Sequence, residues 1–314
     1  MYRSILVPLD GSPGSEQAVA LAATIALRTH ATVRLVHVHL PQHIYIIGAM
    51  PILDTPADHQ QREQEQSYLT AVASRLRDQD IEVRTSVCDG SITAALRTYA
   101  AQHAVDLVVM TTHGRSGVSQ LWFGSVADQL VRALPMPILL LHPTSDIPAD
   151  QAPPALHHIL IPLDGSELSE DCIEHALALG AMMEARYTLL HVVELPPTGY
   201  SEFSTSALSE HARAAASHAA TSYLDQVAGR LCERAPDMHI AVTTGRPSKL
   251  IPAYAKEHDV DLIAMSTHGR SGFARWYFGS VTTSVLRTNT TPLLISKPQN
   301  LHQQDQVVHA ETEG

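Results

Sequence analysis

The chain has 314 residues, 45% of them hydrophobic and 17% charged, which predicts folded domains of ordinary size rather than a disordered polymer. A net charge of −11 argues against non-specific nucleic-acid binding, which depends on neutralising phosphates, yet it leaves room for a small anion held by backbone amides. Three cysteines with no Cys-x-x-Cys spacing argue against a disulfide framework; with no bilayer-length apolar run and no signal peptide ahead of the first strand-like segment, a cytoplasmic protein without membrane contact is expected.

Residues 4–9 form a short apolar run that predicts a buried strand, followed by a turn and a helix from Ser12 to about Thr29 with Ala18, Leu21, Ala22, Ile25 and Ala26 at helical spacing. A second strand is expected at 33–38. Residues 39–56 hold Pro41, Gly48, Pro51 and Pro56 and read as a long loop, and 57–79 as a charged amphipathic helix. A third strand (81–87), a break at Gly90, a helix (92–103) and a fourth strand (106–111) follow. A glycine-bearing loop over 112–124 leads to a helix at 126–134 and a fifth strand at 137–141. The remainder repeats this order. Strands are expected near 158–163, 187–192, 238–243, 260–265 and 292–296, and helices near 167–183, 206–234, 248–257 and 281–289. The proline-rich segment 144–155 reads as a linker between a first domain (1–143) and a second (156–298), and 299–314 as a disordered tail. Alternating strands and helices predict α/β domains, each with a parallel sheet covered on both faces.

The repetition extends to individual residues. Ile5–Ser12 returns as Ile159–Ser166, Thr112–Gly117 as Thr267–Gly272, and Phe-Gly-Ser-Val at 123–126 as the same four residues at 278–281. The offset is 154 residues at Asp10 and Asp164, and 155 at His113 and His268. An offset that changes by only one residue over so long a span marks a duplicated domain; the period is far too long for a solenoid.

Open α/β sheets bind ligands at the carboxyl ends of their strands, where the strand order reverses. Three repeated elements fall at such ends: Pro8, Leu9 and Asp10 with Pro162, Leu163 and Asp164; Val38 with Val192; and Met110 and Thr111 with Met265 and Ser266. The loop beyond the fourth strand carries Gly114, Arg115 and Gly117 in the first half and Gly269, Arg270 and Gly272 in the second. It enters the next helix at Gly124, Ser125 and Val126, and again at Gly279, Ser280, Val281 and Thr282. Free amides at a helix start attract phosphate, with Ser125 expected at the N-cap; the arginines are natural phosphate clamps. Val38 and Met110 can hold a flat ring such as adenine. Asp10 and Asp164 can accept hydrogen bonds from a ribose or base edge, or help hold a metal ion near the phosphates. The same residues also suit a purely local role: Gly-Ser is an ordinary helix start, with Asp128 completing a capping box with Ser125, and Asp-Gly-Ser an ordinary turn. His113 and His268 suit orientation of the loop better than proton transfer. Nineteen histidines are scattered; His37 recurs as His191, but His39 is matched by Val193, which disfavours a shared metal site. There is no Gly-x-x-x-x-Gly-Lys, no Gly-x-Gly-x-x-Gly after a strand and no nucleophile elbow.

The Pro-Leu-Asp-Gly-Ser segment, the Thr-His-Gly-Arg-Ser-Gly loop and the Phe-Gly-Ser-Val that follows resemble the universal stress protein family, over roughly 1–143 and 156–298. The resemblance implies two tandem doubly wound domains, each a five-stranded parallel sheet of order 3-2-1-4-5. It also implies dimer-like pairing of domains through strand five, within this chain or in a homodimer. The ATP-binding branch of the family carries Gly-x-x-Gly, nine residues, then Gly-[Ser/Thr]. Gly114 and Gly124, and likewise Gly269 and Gly279, match the second and third glycines, while Thr111 and Ser266 replace the first. Domain two keeps Ser280 and Thr282; domain one has Ser125 but Ala127. The expectation is an ATP-binding stress-response regulator with a crevice in each repeat, the second binding better, with or without magnesium and with slow hydrolysis at most. The alternative is a scaffold or interaction module that acts through oligomerisation, and a true enzyme on adenylated substrates ranks third.

Overall fold

The computed structural model describes residues 2–40, 45–47, 50–52, 56–112, 124–143, 156–194, 206–267 and 279–297. The chain divides into two compact units, Met1–Pro154 and Ala155–Gly314.

The first unit runs β1 (Ser4–Pro8), α1 (Pro13–Thr29), β2 (Thr32–His39), β3 (Tyr45–Ile47), β4 (Met50–Ile52), α2 (Pro56–Arg77), β5 (Val83–Asp89), α3 (Ile92–Gln102), β6 (Leu107–Thr111), α4 (Ser125–Ala133) and β7 (Ile138–Leu141). The second runs β8 (His158–Pro162), α5 (Glu167–Glu170), α6 (Cys172–Met183), β9 (Arg186–Val193), α7 (Ser206–Leu231), β10 (Met238–Thr244), α8 (Pro247–Glu257), β11 (Leu262–Ser266), α9 (Ser280–Thr288) and β12 (Leu293–Ser296). No helix among the described residues is long and apolar enough to cross a membrane.

In the first unit the parallel strands stand in the order β5-β2-β1-β6-β7. In the second they stand in the order β10-β9-β8-β11-β12. Each is a doubly wound sheet of the expected order. The central strands are buried on both faces: Ile5, Leu6, Val7, Ile159, Leu160 and Ile161 are fully enclosed. Strand one pairs with strand two over five residues, Ser4–Pro8 against Thr32–Val36. It pairs with strand four over only two, Ile5–Leu6 against Leu107–Val108, and the second unit does the same at Ile159–Leu160 and Leu262–Ile263. Beyond those pairs strands one and four part, opening a crevice at their carboxyl ends.

A carboxylate fixes the other end. The Asp106 side chain accepts hydrogen bonds from the amides of Arg3 (2.7 Å) and Ser4 (3.1 Å), and Asp261 from those of His157 and His158 (both 2.9 Å). The first turn of α1 is capped by Ser12, whose hydroxyl accepts from the Ser15 amide, and Ser166 caps α5 in the same way through Ser169.

The elements differ from the sequence reading in a few places. The expected loop over 39–56 contains the antiparallel ribbon β3–β4, for which Tyr45, Ile46, Ile47 and Ile52 are β-favouring residues. The third strand begins at Val83 rather than Ile81, because the Ile81 amide closes the end of α2 on the Leu76 carbonyl after Asp80 turns left-handed (φ 60°). The helix expected over 167–183 breaks at Asp171 (φ −57°, ψ −24°), where the backbone tightens and the Cys172 thiol donates to the Ser169 carbonyl at 3.2 Å. Among earlier expectations, the linker and the tail lie outside the described residues.

Two paired differences between the units predict measurable effects. Gly180 lies under the ring of Tyr187; a Cβ there would meet the Tyr187 hydroxyl oxygen at 2.3 Å and its ring carbons at 2.6 Å. The first unit carries Ala26 and Val33 at these places, both buried, so a larger helix residue is matched by a smaller strand residue. Gly180→Ala is expected to cost about 1–3 kcal/mol in urea unfolding, and Gly180→Ala with Tyr187→Val to recover part of it in a double-mutant cycle. Gly229, in α7 with nothing near its missing Cβ, serves as the control, since Gly229→Ala should stabilise by about 0.5–1 kcal/mol.

His158 heads β8 with one ring nitrogen 3.1 Å from the His258 carbonyl and the other 2.9 Å from the Thr188 hydroxyl. Burial first, and the nearby Arg186 guanidinium, push its pKa below the ordinary 6.5. The unfolded chain therefore binds the proton more readily than the folded one, so His158 lowers stability progressively as pH falls from about 6.5 through the depressed folded value. Ser4, which donates to the His103 carbonyl at 3.3 Å, holds the equivalent place in the first unit. His158→Ser is expected to flatten the loss of unfolding free energy on acidification below that pH, as followed by denaturant titration of the full chain.

Candidate functional site

In the second unit the end of β8 turns sharply into α5. The Asp164 carboxylate accepts from the Ser166 amide (2.9 Å) and the Ser166 hydroxyl (2.6 Å) through the same oxygen, and Asp10 does the same with Ser12 in the first unit (3.0 and 2.6 Å). The aspartate thus builds the turn that ends strand one, whatever else it contacts. The preceding Leu9 and Leu163 are buried, and their amides reach across to the carbonyls of Val36 and Leu190 on strand two (both 2.8 Å).

The entry into the helix after strand four differs from expectation. Gly124 and Gly279, not the serines, are the N-caps: the Gly124 carbonyl accepts from the Asp128 amide (2.9 Å) and that of Gly279 from the Thr283 amide (3.0 Å). Ser125 and Ser280 are the first helical residues and are exposed. The capping box expected from Asp128 does not form, because its carboxylate pairs with Arg132, one turn on, at 3.0 Å. Residue type alone does not separate N-cap from N1, since polar residues favour both. The amides of Gly124 and Gly279 each donate to the carbonyl of Thr112 or Thr267, joining the helix start to the end of strand four (3.1 and 2.9 Å). The amides of Ser280, Val281 and Thr282 remain at the helix start without intrahelical acceptors, a ready anion-binding end.

These elements meet in a cleft of about 600 Å³ in the second unit. Pro162, Leu163, Asp164, Val192, Met265, Ser266, Gly279, Ser280, Val281 and Thr282 all line it. Ser266 is buried, and its hydroxyl has no hydrogen-bond partner among the described residues. Thr282 is also buried, with its hydroxyl donating to the Ser266 carbonyl at 3.1 Å; it braces the strand end, a bond that Ala127 cannot make in the first unit. Gly269, Arg270 and Gly272 lie outside the described residues, as do Gly114, Arg115 and Gly117, together with His113 and His268.

In the first unit Pro8, Leu9, Asp10, Val38, Met110, Thr111, Gly124, Ser125 and Val126 occupy the same places on β1, β2, β6 and α4. Val38, like Val192, is half-buried at its strand end, while Met110 and Met265 are buried.

The sequence reading missed the far wall. Ala216, Ala219, Ala220 and Tyr223 from α7, with His191, Val193 and Glu194 from the end of β9, complete the cleft. The Tyr223 hydroxyl donates to Glu170 (2.9 Å), which also pairs with Arg230, and burial above all pushes the phenol pKa well up. His191 stands edge-on to the Tyr223 ring, centroids 6.1 Å apart. The recurrence of Tyr68 and Tyr223 was the available signal for this wall; the alanines carry none.

The histidines of the first unit behave differently. His39 is fully buried with Nδ1 2.8 Å from Glu65 and Nε2 2.8 Å from Asp58, so both ring nitrogens are engaged by carboxylates. His37 Nε2 approaches the other Glu65 oxygen at 3.5 Å. Asp58 also accepts from Arg62 (3.0 Å), which reaches Asp89 (2.6 Å); that guanidinium first, and His39 second, hold the Asp58 carboxyl below the usual carboxylate range.

A model of the Universal stress protein family matches residues 1–142 and 155–297. A universal stress protein of Mycolicibacterium smegmatis is 25% identical over 308 residues, covering 94% of this chain and 97% of that protein. One of Mycobacterium tuberculosis is 25% identical over 303 residues, covering 93% and 96%. Among solved structures, a universal stress protein from Archaeoglobus fulgidus has a TM-score of 0.67 at 17% identity, covering 94% of this chain and 98% of its own, a likeness of fold. With the duplicated strand ends, the two helix starts and the family match over both halves, the chain belongs to the universal stress protein family, as a tandem of two repeats.

Proposed function

We propose that this protein is a cytoplasmic stress-response regulator and that the crevice of its second unit binds an adenine nucleotide, ATP foremost. One observation carries the reading: every described second-half residue singled out from the sequence for this role lines a single cleft of about 600 Å³ at the carboxyl ends of the strands, within the usual size of small-ligand sites. Gly279 supports it. Its backbone is ordinary (φ −53°), and a Cβ would meet only the Thr267 carbonyl oxygen at 3.6 Å and the Thr282 hydroxyl at 3.9 Å. Neither conformation nor internal packing demands a glycine, so the missing side chain leaves room for a bound group above the helix start. In this reading the buried Ser266 hydroxyl bonds a ribose, and the alanines of α7 with Val192 offer apolar surface to a base.

Charge sets the requirements of the phosphate end. The described lining contains the carboxylates of Asp164 and Glu194 and no lysine or arginine. Neutralising the phosphates therefore falls to the helix-start amides, to Arg270, and to a magnesium ion for which the two carboxylates are suitable oxygen ligands. The ion would screen the phosphates from those carboxylates.

Three measurements test this. Chromatography of the small molecules released on denaturing freshly purified protein should yield adenine nucleotide, and chelating magnesium should weaken rebinding of ATP. Gly279→Val, which fills the space above the helix start, should weaken ATP binding by roughly tenfold or more, about 1.4 kcal/mol, with the melting temperature of the ligand-free protein little changed. Absence of bound nucleotide, with no uptake of ATP and magnesium, would favour the scaffold reading.

A further inference from the structure

The two crevices are built on the same backbone but are not filled alike. The strand register makes His39 of β2 the counterpart of Val193 on β9, since Val36 opposes Pro8 as Leu190 opposes Pro162. On the helix, Tyr68 and Tyr223, and the fully buried Leu69 and Leu224, set the correspondence of α2 with α7. Glu65 then stands where the second unit has Ala220, and Gln61 where it has Ala216. Val193, Ala216 and Ala220 line the cleft of the second unit and leave it open. Their counterparts are large, polar and bonded to one another. Glu65 takes His39 on one oxygen (2.8 Å) and Gln61 on the other (2.8 Å); Gln61 also donates to the Leu40 carbonyl (3.3 Å), and His39 is held from its far side by Asp58. His39, Glu65 and Asp58 are all buried.

We infer that the first crevice is closed to a nucleotide base by its own side chains, and that His39, Gln61 and Glu65 are the residues that decide this. The inference rests on the reading of the second crevice as a nucleotide site. A base entering the first crevice would have to displace a buried, mutually hydrogen-bonded cluster, leaving carboxylates or an imidazole unpaired in a dry place. At the three corresponding places of the second, a base meets only the methyl and isopropyl groups of Ala216, Ala220 and Val193. The loss of the Thr282 brace at Ala127 works in the same direction. Duplication has thus produced one open and one sealed site, and the chain carries about one nucleotide.

The experiment is equilibrium dialysis of the full chain with radiolabelled ATP and magnesium, giving nucleotides bound per chain for three proteins. The wild type is expected to bind about one, Gly279→Val to bind about one at least tenfold more weakly, and His39→Val with Gln61→Ala and Glu65→Ala to bind about two, because Asp58 keeps Arg62 as its partner and the cleared space matches the second cleft. Two nucleotides on the wild type, or one retained by Gly279→Val at undiminished affinity, would overturn the closure of the first crevice while leaving nucleotide binding in place. No nucleotide on the wild type would overturn the functional reading itself. A folded triple variant that still binds one would show that these three residues do not decide it. Should the triple variant not fold, as judged by circular dichroism, the first two proteins decide the matter without it.

Discussion

A parallel sheet covered by helices on both faces has nowhere to put polar chemistry except at its strand ends, and this constraint organises both units. Strand one lies between strands two and four, and its three central side chains are apolar because they are fully enclosed. The short pairing of strands one and four, two residues in each unit, then lets the chain diverge. The turn built by Asp10 or Asp164, the strand-four end and the helix start capped by Gly124 or Gly279 gather around the gap. Each is fixed by its own local hydrogen bonds, from the aspartate side chain at the turn and from the backbone at the helix start, so the frame of the crevice does not depend on what fills it.

That independence allowed the two halves to diverge. Where their cores differ, the changes come as matched sets: Gly180 with Tyr187 against Ala26 with Val33, and His158 with Thr188 against Ser4 with Arg34. Close packing explains the first, since added volume on the helix must be removed from the strand. Satisfaction of buried polar atoms explains the second. The same rule governs the crevices. His39 could enter the first unit only with Glu65 and Asp58 to hold it, whereas Val193 asks for nothing beyond the small alanines of α7. A repeat that keeps its frame and exchanges its filling can keep one function in one half and lose it in the other.

Much of this was legible in the amino-acid sequence, because period and recurrence are one-dimensional. The duplication, the α/β class, the chain order of the main strands and helices, and the residues leaving strands one, two and four follow from hydrophobic runs, glycine and proline breaks, and motifs repeated at a near-constant offset. Those motifs lie at strand ends and helix starts, where backbone geometry dictates residue type locally. The reading failed where neighbouring positions compete for one role: the helix cap falls on Gly124 and Gly279 rather than on Ser125 and Ser280, and Asp128 turns to Arg132.

What tertiary structure alone decided is the content of the crevices. Ala216 and Ala220 carry no chemistry to notice, and Glu65 lies on a helix rich in charge, where a solvated carboxylate is the ordinary case. Only packing α2 against β2 places Glu65 beside His39, 26 residues away, and buries both. Whether a side chain fills a site or leaves it open depends on which residues meet across the fold. Such meetings are set by the docking of helices on the sheet, for which a linear pattern has no coordinate.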